Sequence, residues 1–456
     1  MNIRKRLWLD LGNPGTLIAN LRYSQDHAVG LLLTILNNAG VAVDIASTRN
    51  IFTRGQLLSK FKDIDMLIMS VLSFHYPFAV KCAKLFKKVN PEGIVVVGGL
   101  HGSVAPDEMI SVHEFDYICK GPGERIIVKL VTEPENFERV IEGNGAKSMA
   151  EWPYIDRSLW PKPTLTIPGR RNPWPLEIFS IEEAPSVTIL TSRVCPWQCA
   201  FCNESTFIPN MLRRPVEMVI EELNIVDKQF GPFNSVIIHD SNFFQNPSWL
   251  EEWIYKYPKL ANRTWPYWAA ARTDTIRKWP DLFAALLNET NWRTISLGLE
   301  SGSDPVLRIL NKECTEEDNY VAIDLINRTG DEMAAKGRKP SRVFANIMLA
   351  IPGETENDAR KTVAMVKRIH RVKPSVSYFA PYPGSMLGYQ LIAEGKSLMA
   401  EDGYHRYPGK ETLKGIDYKF YENLRPEIPN YQLPNRMERF ARKLFDSFFS
   451  RVLGES

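Results

Sequence analysis

Short apolar runs alternate with helical segments along the first 130 residues, and this alternation limits the possible folds more than any other feature. The runs are nearly continuous in apolar residues, as strands are when both faces of a sheet are buried. They lie at residues 7–11, 41–45, 66–71, 94–97 and 117–119. Helical periodicity between them, at 27–38 with Gly40 as the expected C-cap and at 78–89, predicts crossover helices. The pattern predicts a doubly wound, Rossmann-like parallel α/β domain over residues 1–130.

The same alternation returns from residue 186. Strand candidates lie at residues 187–190, 236–239, 267–270, 294–299, 344–349 and 376–379. Six such βα units over residues 186–390 predict a partial (β/α)6 barrel whose chemistry lies at the carboxyl ends of the strands. Between the domains, residues 131–185 hold eight prolines and three tryptophans, which predicts an ordered, irregular connection packed along a domain interface. Residues 391–456 are expected to form a small, mainly helical cap, with a charged amphipathic helix from Asn435.

Composition excludes several classes of protein. The 456 residues are 44% apolar and 24% charged, with a net charge of +3, so we expect neither nucleic acid nor a membrane as a partner. The basic start of the chain carries only a short apolar stretch broken by Asp10, which predicts a strand rather than a signal peptide. With no run of 18 apolar residues, a cytoplasmic protein is the default expectation.

Three of the six cysteines fall within eight residues. Cys195, Cys199 and Cys202 form a C-x3-C-x2-C loop directly after an apolar strand. Three thiolates on one loop can ligate three irons of a [4Fe–4S] cubane and leave the fourth iron open. Structural zinc would require four closed ligands, but Cys314 lies 112 residues further on and no histidine neighbours the loop. A redox-active thiol pair would not need the third cysteine. The spacing therefore favours the iron–sulfur cluster.

With this loop, the second half of the chain resembles the radical S-adenosylmethionine enzymes. Polar groups recur in order after the predicted strands, in the segments His239-Asp240-Ser241-Asn242-Phe243, Ala271-Arg272-Thr273-Asp274, Leu297-Gly298-Leu299-Glu300-Ser301-Gly302 and Leu349-Ala350-Ile351-Pro352-Gly353-Glu354-Thr355. Taken singly, each suits a surface residue or an ordinary turn as well as a site. The resemblance implies that the cysteines hold the cluster and that Phe201, Asp240, Arg272 and Glu300 contact S-adenosylmethionine or lie beside it. Ser241 departs from the family, whose members often have a second carboxylate there.

The first half resembles the cobalamin-binding domain attached to one branch of that superfamily. The resemblance rests on Gly98-Gly99-Leu100-His101-Gly102 and Lys120-Gly121-Pro122-Gly123-Glu124, where glycines let the backbone approach a bulky ligand closely. The cobalamin contacts that we expect are Ser70, Ser73, Gly98, Gly99, His101, Gly121, Gly123 and Glu124. For His101, a role in supporting the fold is an equal alternative. A nicotinamide site would need G-x-G-x-x-G after the first strand, where the chain has Gly12-Asn13-Pro14-Gly15.

One expected feature of some cobalamin proteins is missing. A D-x-H-x-x-G motif supplies a histidine to the cobalt in those proteins, but the segment Gln25-Asp26-His27-Ala28-Val29-Gly30 does not fit its spacing. The resemblance therefore implies cobalamin bound without a protein histidine on the cobalt.

The combined resemblance implies three cofactors: a [4Fe–4S] cluster, S-adenosylmethionine and cobalamin. The first hypothesis is a methyltransferase that acts on an unactivated carbon or phosphorus centre of a small molecule or natural-product intermediate, with a flavodoxin or ferredoxin as one-electron donor. The alternatives are cyclisation or rearrangement without methyl transfer, RNA modification, and a non-catalytic, metal-stabilised binding module. Tyrosines near the C-terminus either line an aromatic substrate pocket or pack in a core; they are Tyr378, Tyr382, Tyr404, Tyr407, Tyr418 and Tyr421.

Overall fold

The structure is a computed structural model that describes most of the chain. The described residues are 3–11, 27–48, 53–159, 186–204, 212–230, 233–399, 403–406 and 408–431. They fall into two compact units, of which the first contains the described residues up to 159 and the second those from 186 to 431.

The first unit is built on a six-stranded sheet in which all neighbouring strands are parallel. Its strands are β1 (Arg6–Asp10), β2 (Asp44–Ser47), β3 (Met66–Ser70), β4 (Ile94–Gly98), β5 (Tyr117–Lys120) and β6 (Val140–Glu142). Their spatial order is β2-β1-β3-β4-β5-β6. The helices are α1 (His27–Asn38), α2 (Arg54–Phe61), α3 (Tyr76–Val89), α4 (Leu100–Val104), α5 (Pro106–Ile110) and α6 (Ile127–Thr132).

Two hydrophobic clusters cover the two faces of this sheet. Leu7 and Leu9 of β1 face one cluster, whereas Trp8 between them faces the other, as the two-residue period of a strand requires. The predicted doubly wound fold is thereby confirmed. One difference concerns the predicted boundary at residue 130: β6 continues the same sheet within the stretch that was expected to be a connection. Trp152 of that stretch is buried, and Trp160 and Trp174 lie outside the described residues.

The second unit carries the other six-stranded parallel sheet, ordered β14-β13-β12-β11-β10-β7. Its strands are β7 (Ser186–Ile189), β10 (Ser235–Ile238), β11 (Tyr267–Arg272), β12 (Trp292–Glu300), β13 (Arg342–Leu349) and β14 (Val372–Tyr378), and a two-stranded ribbon of β8 (Ser192–Arg193) and β9 (Leu212–Arg213) accompanies them. The helices are α7 (Val216–Phe230), α8 (Pro247–Leu260), α9 (Thr273–Lys278), α10 (Pro280–Glu289), α11 (Asp304–Ile309), α12 (Glu316–Ala335), α13 (Glu356–Lys367), α14 (Met386–Ala393) and α15 (Tyr418–Leu424).

Side chains alternate between the two faces of this sheet. In β12, Ile295, Leu297 and Leu299 are fully buried in the main core together with the helices. Ser296 and Gly298 lie on the opposite face. This alternation, with a helix after each strand, is the predicted partial barrel, and it brings the carboxyl ends of neighbouring strands to one rim.

The segments 403–406 and 408–431 contact the outer strand β14 at its two ends. The Tyr378 amide donates to the Arg406 carbonyl at 3.2 Å, and the Asn430 side chain donates to the Val372 carbonyl at 3.0 Å. These bonds satisfy backbone groups at both ends of a strand that would otherwise be exposed. The helix that was predicted from Asn435 lies outside the described residues.

Within the described ranges, we find no helix that combines the length and the apolar character needed to cross a bilayer.

Candidate active site

The cysteine loop begins with a strained residue. Val194, directly before Cys195, has a φ of 76°, a left-handed conformation that is unfavourable for a β-branched side chain. Such strain persists only where the surrounding structure imposes it. The chain is therefore forced into a sharp bend at the point where the first thiol appears.

Asp240 fixes the segment that leads into this bend. It is 3% exposed and follows β10, the neighbour of β7. One carboxylate oxygen accepts hydrogen bonds from the backbone amides of Thr191 at 2.7 Å and Ser192 at 3.0 Å. The other accepts from the hydroxyls of the same two residues. A carboxylate with this many donors is committed to holding residues 191–192, so its direct contact with a cofactor stays a prediction.

The loop is then attached through Ala200 to two helices of the barrel. The Ala200 amide donates to the Leu310 carbonyl at 2.8 Å, and its carbonyl accepts from the Leu387 amide at 2.9 Å. Leu310 follows α11 and Leu387 lies in the first turn of α14. A further bond runs from the Asn311 side chain to the Gln198 carbonyl at 2.8 Å. The three cysteines are thus carried on a loop that is fixed at both its middle and its start.

The thiols lie close enough to affect one another. Burial is the main reason that the pKa of Cys195 is raised and that of Cys202 is raised to about 12, and the neighbouring cysteines contribute to both shifts. The positive charges of Arg272 and Lys312 oppose this shift at Cys195. Thiolates are needed for metal ligation, so the loop requires cations beside it.

Arg272 and Lys312 supply those cations. Arg272 Nη1 lies 3.4 Å from Cys199 Sγ, and the guanidinium stacks 4.5 Å from the centre of the Trp197 ring. Lys312 is 4% exposed and its ammonium lies 3.3 Å from Glu300. Although burial alone lowers it, the pKa of Lys312 is raised overall, chiefly by Glu300. A three-thiolate cubane is anionic, and this electropositive surrounding suits it.

A bulge in β12 places Glu300 over Lys312. The register with β13 shifts between Gly298 and Glu300, and Glu300 has a φ of 61°. A Cβ on Gly298 would lie 3.0 Å from Lys312 Nζ and 3.2 Å from Glu300 Oε1. Any larger residue at position 298 would displace the ion pair between Lys312 and Glu300, so only glycine leaves room for it. The pair offers one cationic and one anionic group at the rim, beside the cysteine loop.

Among the described residues, no three histidine, cysteine or acidic side chains converge on one point as ligands of a single ion would. A cubane does not need such convergence, because each thiolate binds a different iron. The donor set on the loop therefore fits a cluster of this kind.

The structure brings together most of the predicted residues of this half. Lys312 links Cys199, Arg272 and Glu300. Its ammonium lies 5.9 Å from the centre of the Phe201 ring. Lys312 and Trp197 were missed in the sequence. Trp197 stands between two of the cysteines, which is a usable signal, whereas Lys312 follows an ordinary amphipathic helix.

In the first unit, the predicted residues lie at the carboxyl ends of the adjacent strands β3, β4 and β5. Gly99 has a φ of 89°, and a Cβ there would lie 2.7 Å from the Val71 amide nitrogen and 2.8 Å from Ser70 Oγ. Gly121 has a φ of 79° and nothing within 4 Å of its Cβ position, and its amide is held by Ser103 Oγ at 2.7 Å. The open backbone at Gly121 suits close approach of a large, flat ligand.

His101 is fully buried and packs among residues of its own unit. Its Nδ1 lies 3.2 Å from Ser73 Oγ, its Nε2 lies 3.6 Å from Glu108, and its ring lies 4.3 Å from that of Tyr76. This geometry suits the fold-supporting alternative for His101, and the contact of Ser73 with cobalamin stays a prediction. The remaining predicted contacts are Gly98, whose Cβ position lies 3.4 Å from Cys119 Cβ, and Gly123, whose Cβ position lies 3.8 Å from Leu32. Glu124 is 8% exposed.

The tyrosines divide into two groups. Tyr378, Tyr418 and Tyr421 are buried in the main core, whereas Tyr382 and Tyr404 stack at 5.7 Å in a small cluster after β14. Tyr407 lies outside the described residues.

Two family descriptions match the chain. Residues 189–366 match the Radical SAM superfamily, and residues 25–131 match the B12 binding domain.

Known proteins are similar over longer stretches. An uncharacterised methyltransferase of Pyrococcus horikoshii, PH0819, is 23% identical over 87% of this chain and 81% of its own length. The anaerobic magnesium-protoporphyrin IX monomethyl ester cyclase of Rubrivivax gelatinosus is 23% identical over 69% of this chain, which spans only 56% of that enzyme. Among solved structures, the radical S-adenosylmethionine methyltransferase TsrM from Kitasatospora setae, with tryptophan and a SAM analogue bound, has a TM-score of 0.64. It shares 16% identity and is matched over 99% of this chain and 98% of TsrM.

Proposed function

Since the chain belongs to the radical S-adenosylmethionine enzymes that carry a cobalamin-binding domain, we propose that it transfers a methyl group to a small molecule. The acceptor is an unactivated carbon or phosphorus centre. The observation that carries the proposal is the loop of three cysteines with Arg272 and Lys312 beside it. The names of PH0819 and TsrM support methyl transfer rather than another outcome of the same chemistry.

When bound, the cluster supplies the electron that cleaves S-adenosylmethionine and cobalamin supplies the methyl group. Cys195, Cys199 and Cys202 hold the cluster, while Arg272 and Lys312 compensate its negative charge. The methionine end of S-adenosylmethionine has a carboxylate and an ammonium group. Lys312 and Glu300 present the complementary charges at the barrel rim, and we assign them to those two groups.

The first unit would hold cobalamin along the glycine-rich edge formed by β3, β4 and β5. Gly99 and Gly121 keep this edge free of side chains, and glycine adopts the positive φ at both positions without strain. The residues that touch the substrate are best sought around Tyr382 and Tyr404, because Tyr378, Tyr418 and Tyr421 are part of the core.

The experiment that tests the proposal compares wild-type protein with a Cys195→Ala, Cys199→Ala, Cys202→Ala variant after anaerobic reconstitution. The variant should lose its iron and its formation of 5′-deoxyadenosine, yet retain cobalamin, because the corrin belongs to the other unit. Cys82→Ala is the matched control, since that thiol is buried in the first unit. Formation of 5′-deoxyadenosine that persists in the triple variant would contradict the role of the loop.

The products separate methyl transfer from the alternative of cyclisation or rearrangement. Methyl transfer yields S-adenosylhomocysteine together with 5′-deoxyadenosine, whereas rearrangement yields 5′-deoxyadenosine without S-adenosylhomocysteine. We expect both products from the wild type supplied with S-adenosylmethionine, cobalamin, a reductant and an accepted substrate. Formation of 5′-deoxyadenosine without S-adenosylhomocysteine would favour the cyclase-like reaction of the Rubrivivax relative.

A further inference from the structure

Phe74 is a large apolar side chain that the first unit leaves exposed. It is 49% exposed and belongs to neither of the two hydrophobic clusters that cover the sheet. The other exposed large apolar side chain among the described residues of this unit is Val89, at 38%. Val89 ends helix α3, whereas Phe74 lies before the start of that helix, in the loop that follows β3. Single exposed apolar residues are common, so it is the location of Phe74 that is informative.

The loop after β3 lies at the point where the order of the strands reverses. From β1 the chain passes to β2 on one side of β1 and returns to β3 on the other side. In open parallel sheets, ligands bind outside the carboxyl ends of the strands at such a point. Residues 71–75, which follow β3 directly, therefore form part of the wall of this crevice.

Hydrogen bonds fix this loop to the glycine-rich segment after β4. The Val71 amide donates to the Gly98 carbonyl at 2.9 Å, and the Val71 carbonyl accepts from the His101 amide at 2.9 Å. Ser73 is buried, and its Oγ lies 3.2 Å from Nδ1 of the buried His101. The side chain of Ser73 is thus engaged inside the unit, and Phe74 is the residue of the loop whose side chain is exposed.

From this arrangement we infer that the ring of Phe74 packs against the corrin of bound cobalamin. The inference rests on the proposed function, which places cobalamin at this edge of the sheet. The corrin has a broad apolar framework, and contact with it removes the exposed phenyl ring from water. The ring of Phe74 already lies 4.2 Å from that of His75, so fixing it against a ligand costs little conformational entropy. Since a phenyl ring has no lone pair to offer to cobalt, the contact adds affinity without occupying a coordination position.

The first test is a titration of the protein with hydroxocobalamin, followed by absorbance. Phe74→Ala should weaken binding of hydroxocobalamin by about tenfold or more, because the apolar area that the corrin covers is lost. Phe74→Tyr keeps the ring and should bind nearly as tightly as wild type. Val89→Ala is the matched control and should bind like wild type. The unfolding temperature of the cobalamin-free protein should be the same in all of these variants, because both positions are exposed.

The second test detects the contact itself by chemical labelling. Phe74→Cys and Val89→Cys are each combined with the triple cysteine-to-alanine substitution of the loop, which leaves three buried cysteines; these are Cys82, Cys119 and Cys314. At ten times its Kd, hydroxocobalamin should slow maleimide modification at position 74 about tenfold, because only the unbound fraction reacts. Modification at position 89 should be unaffected, since α3 separates the two positions by about 20 Å.

Three results would overturn the inference and leave the proposed function intact, because the wild type would still bind the cofactor. These are wild-type affinity in Phe74→Ala, an equal loss of affinity in Val89→Ala, and modification at position 74 that hydroxocobalamin does not slow. If the wild type itself binds no hydroxocobalamin, the cobalamin part of the proposed function fails, and the role of Phe74 fails with it.

Discussion

Glu354 is a half-buried carboxyl group at the turn that follows β13. One of its oxygens accepts from the Ile351 amide at 3.4 Å, and it shares a hydrogen bond with Tyr421 of α15. Burial raises its pKa to about 7, against the weaker opposite effect of these hydrogen bonds. The folded protein therefore binds this proton more tightly than the unfolded chain does.

We predict a pH-dependent loss of stability from this group. A carboxyl group whose pKa is higher in the folded protein stabilises the fold fully at pH values below its pKa in the unfolded chain. That stabilisation is lost as the pH rises towards 7. From the size of the pKa shift, we expect the wild-type protein to lose about 2 kcal/mol of stability between pH 5 and pH 8. The Glu354→Gln variant, which lacks the titrating group, should not show this loss. The measurement is thermal unfolding at both pH values, with the exposed Glu356→Gln as control. Equal pH dependence in wild type and Glu354→Gln would contradict the assignment.

At this scale the sequence predicted the ligand cysteines directly, because their spacing in a single loop is local information. It placed Asp240, Arg272 and Glu300 at strand ends. It did not show that the carboxylate of Asp240 accepts hydrogen bonds from Thr191 and Ser192. Nor did it reveal Lys312, whose importance depends on a contact across the rim with Glu300. Residue roles that arise from such non-local contacts leave no periodic pattern in the chain.

Among the elements, the ribbon of β8 and β9 is tied to α7 by a buried ion pair. Arg214, directly after β9, lies 2.7 Å from Glu222 of α7, and both side chains are 1% exposed. The Arg214 amide donates to the Thr191 carbonyl at 2.8 Å, and its own carbonyl accepts from the Trp249 indole at 2.7 Å. The pair thus holds the strand that returns from the cysteine loop.

Glu222→Gln should destabilise the second unit by about 3–5 kcal/mol, because it leaves the Arg214 cation buried without a counter-ion. Since the ion pair anchors the ribbon, the iron bound after reconstitution should fall as well. Urea unfolding and iron analysis measure the two effects. Glu221→Gln, at the neighbouring exposed position of the same helix, should cost less than about 0.5 kcal/mol. Similar behaviour of the two variants would show that the ion pair is dispensable.

The sequence predicted most elements of both sheets, including helix α1 at its observed bounds with Gly40 at a φ of 72° after it. Strand β6 was missed because it has three residues and lies in a proline-rich stretch. Strand β14 begins at Val372, four residues before its predicted start, because Lys373, Pro374 and Ser375 interrupt the apolar pattern. Such misses are expected where tertiary pairing outweighs local preference.

At the scale of the whole molecule, each unit has its own sheet and its own core, and the three large clusters of described residues each come from one side of the boundary. The alternation of apolar runs and helical segments in the sequence predicted this division into two units. The order of the strands within each sheet was not predicted, because several orders satisfy the same alternation.

We predict that the cobalamin site can be damaged without loss of the cluster. Gly121→Asn should keep the fold, since asparagine tolerates positive φ, but its side chain would enter the open space beside Gly121. Bound cobalamin should fall several-fold, with the iron content unchanged. Gly40→Asn is the matched control, because Gly40 also has a positive φ and nothing within 4 Å of its Cβ position. Cobalamin loading that drops equally in both variants, or in neither, would count against the strand-end site.

Residues of the segments 403–406 and 408–431 restrain the outermost strand of the barrel, β14. In the order β14-β13-β12-β11-β10-β7, the rim ends at β14 on one side, and Arg406 and Asn430 are bonded to the two ends of that strand. The outermost strand cannot swing outwards unless these bonds break together. Groups that lie 28 and 58 residues downstream of their partners in β14 therefore restrain the edge of the barrel.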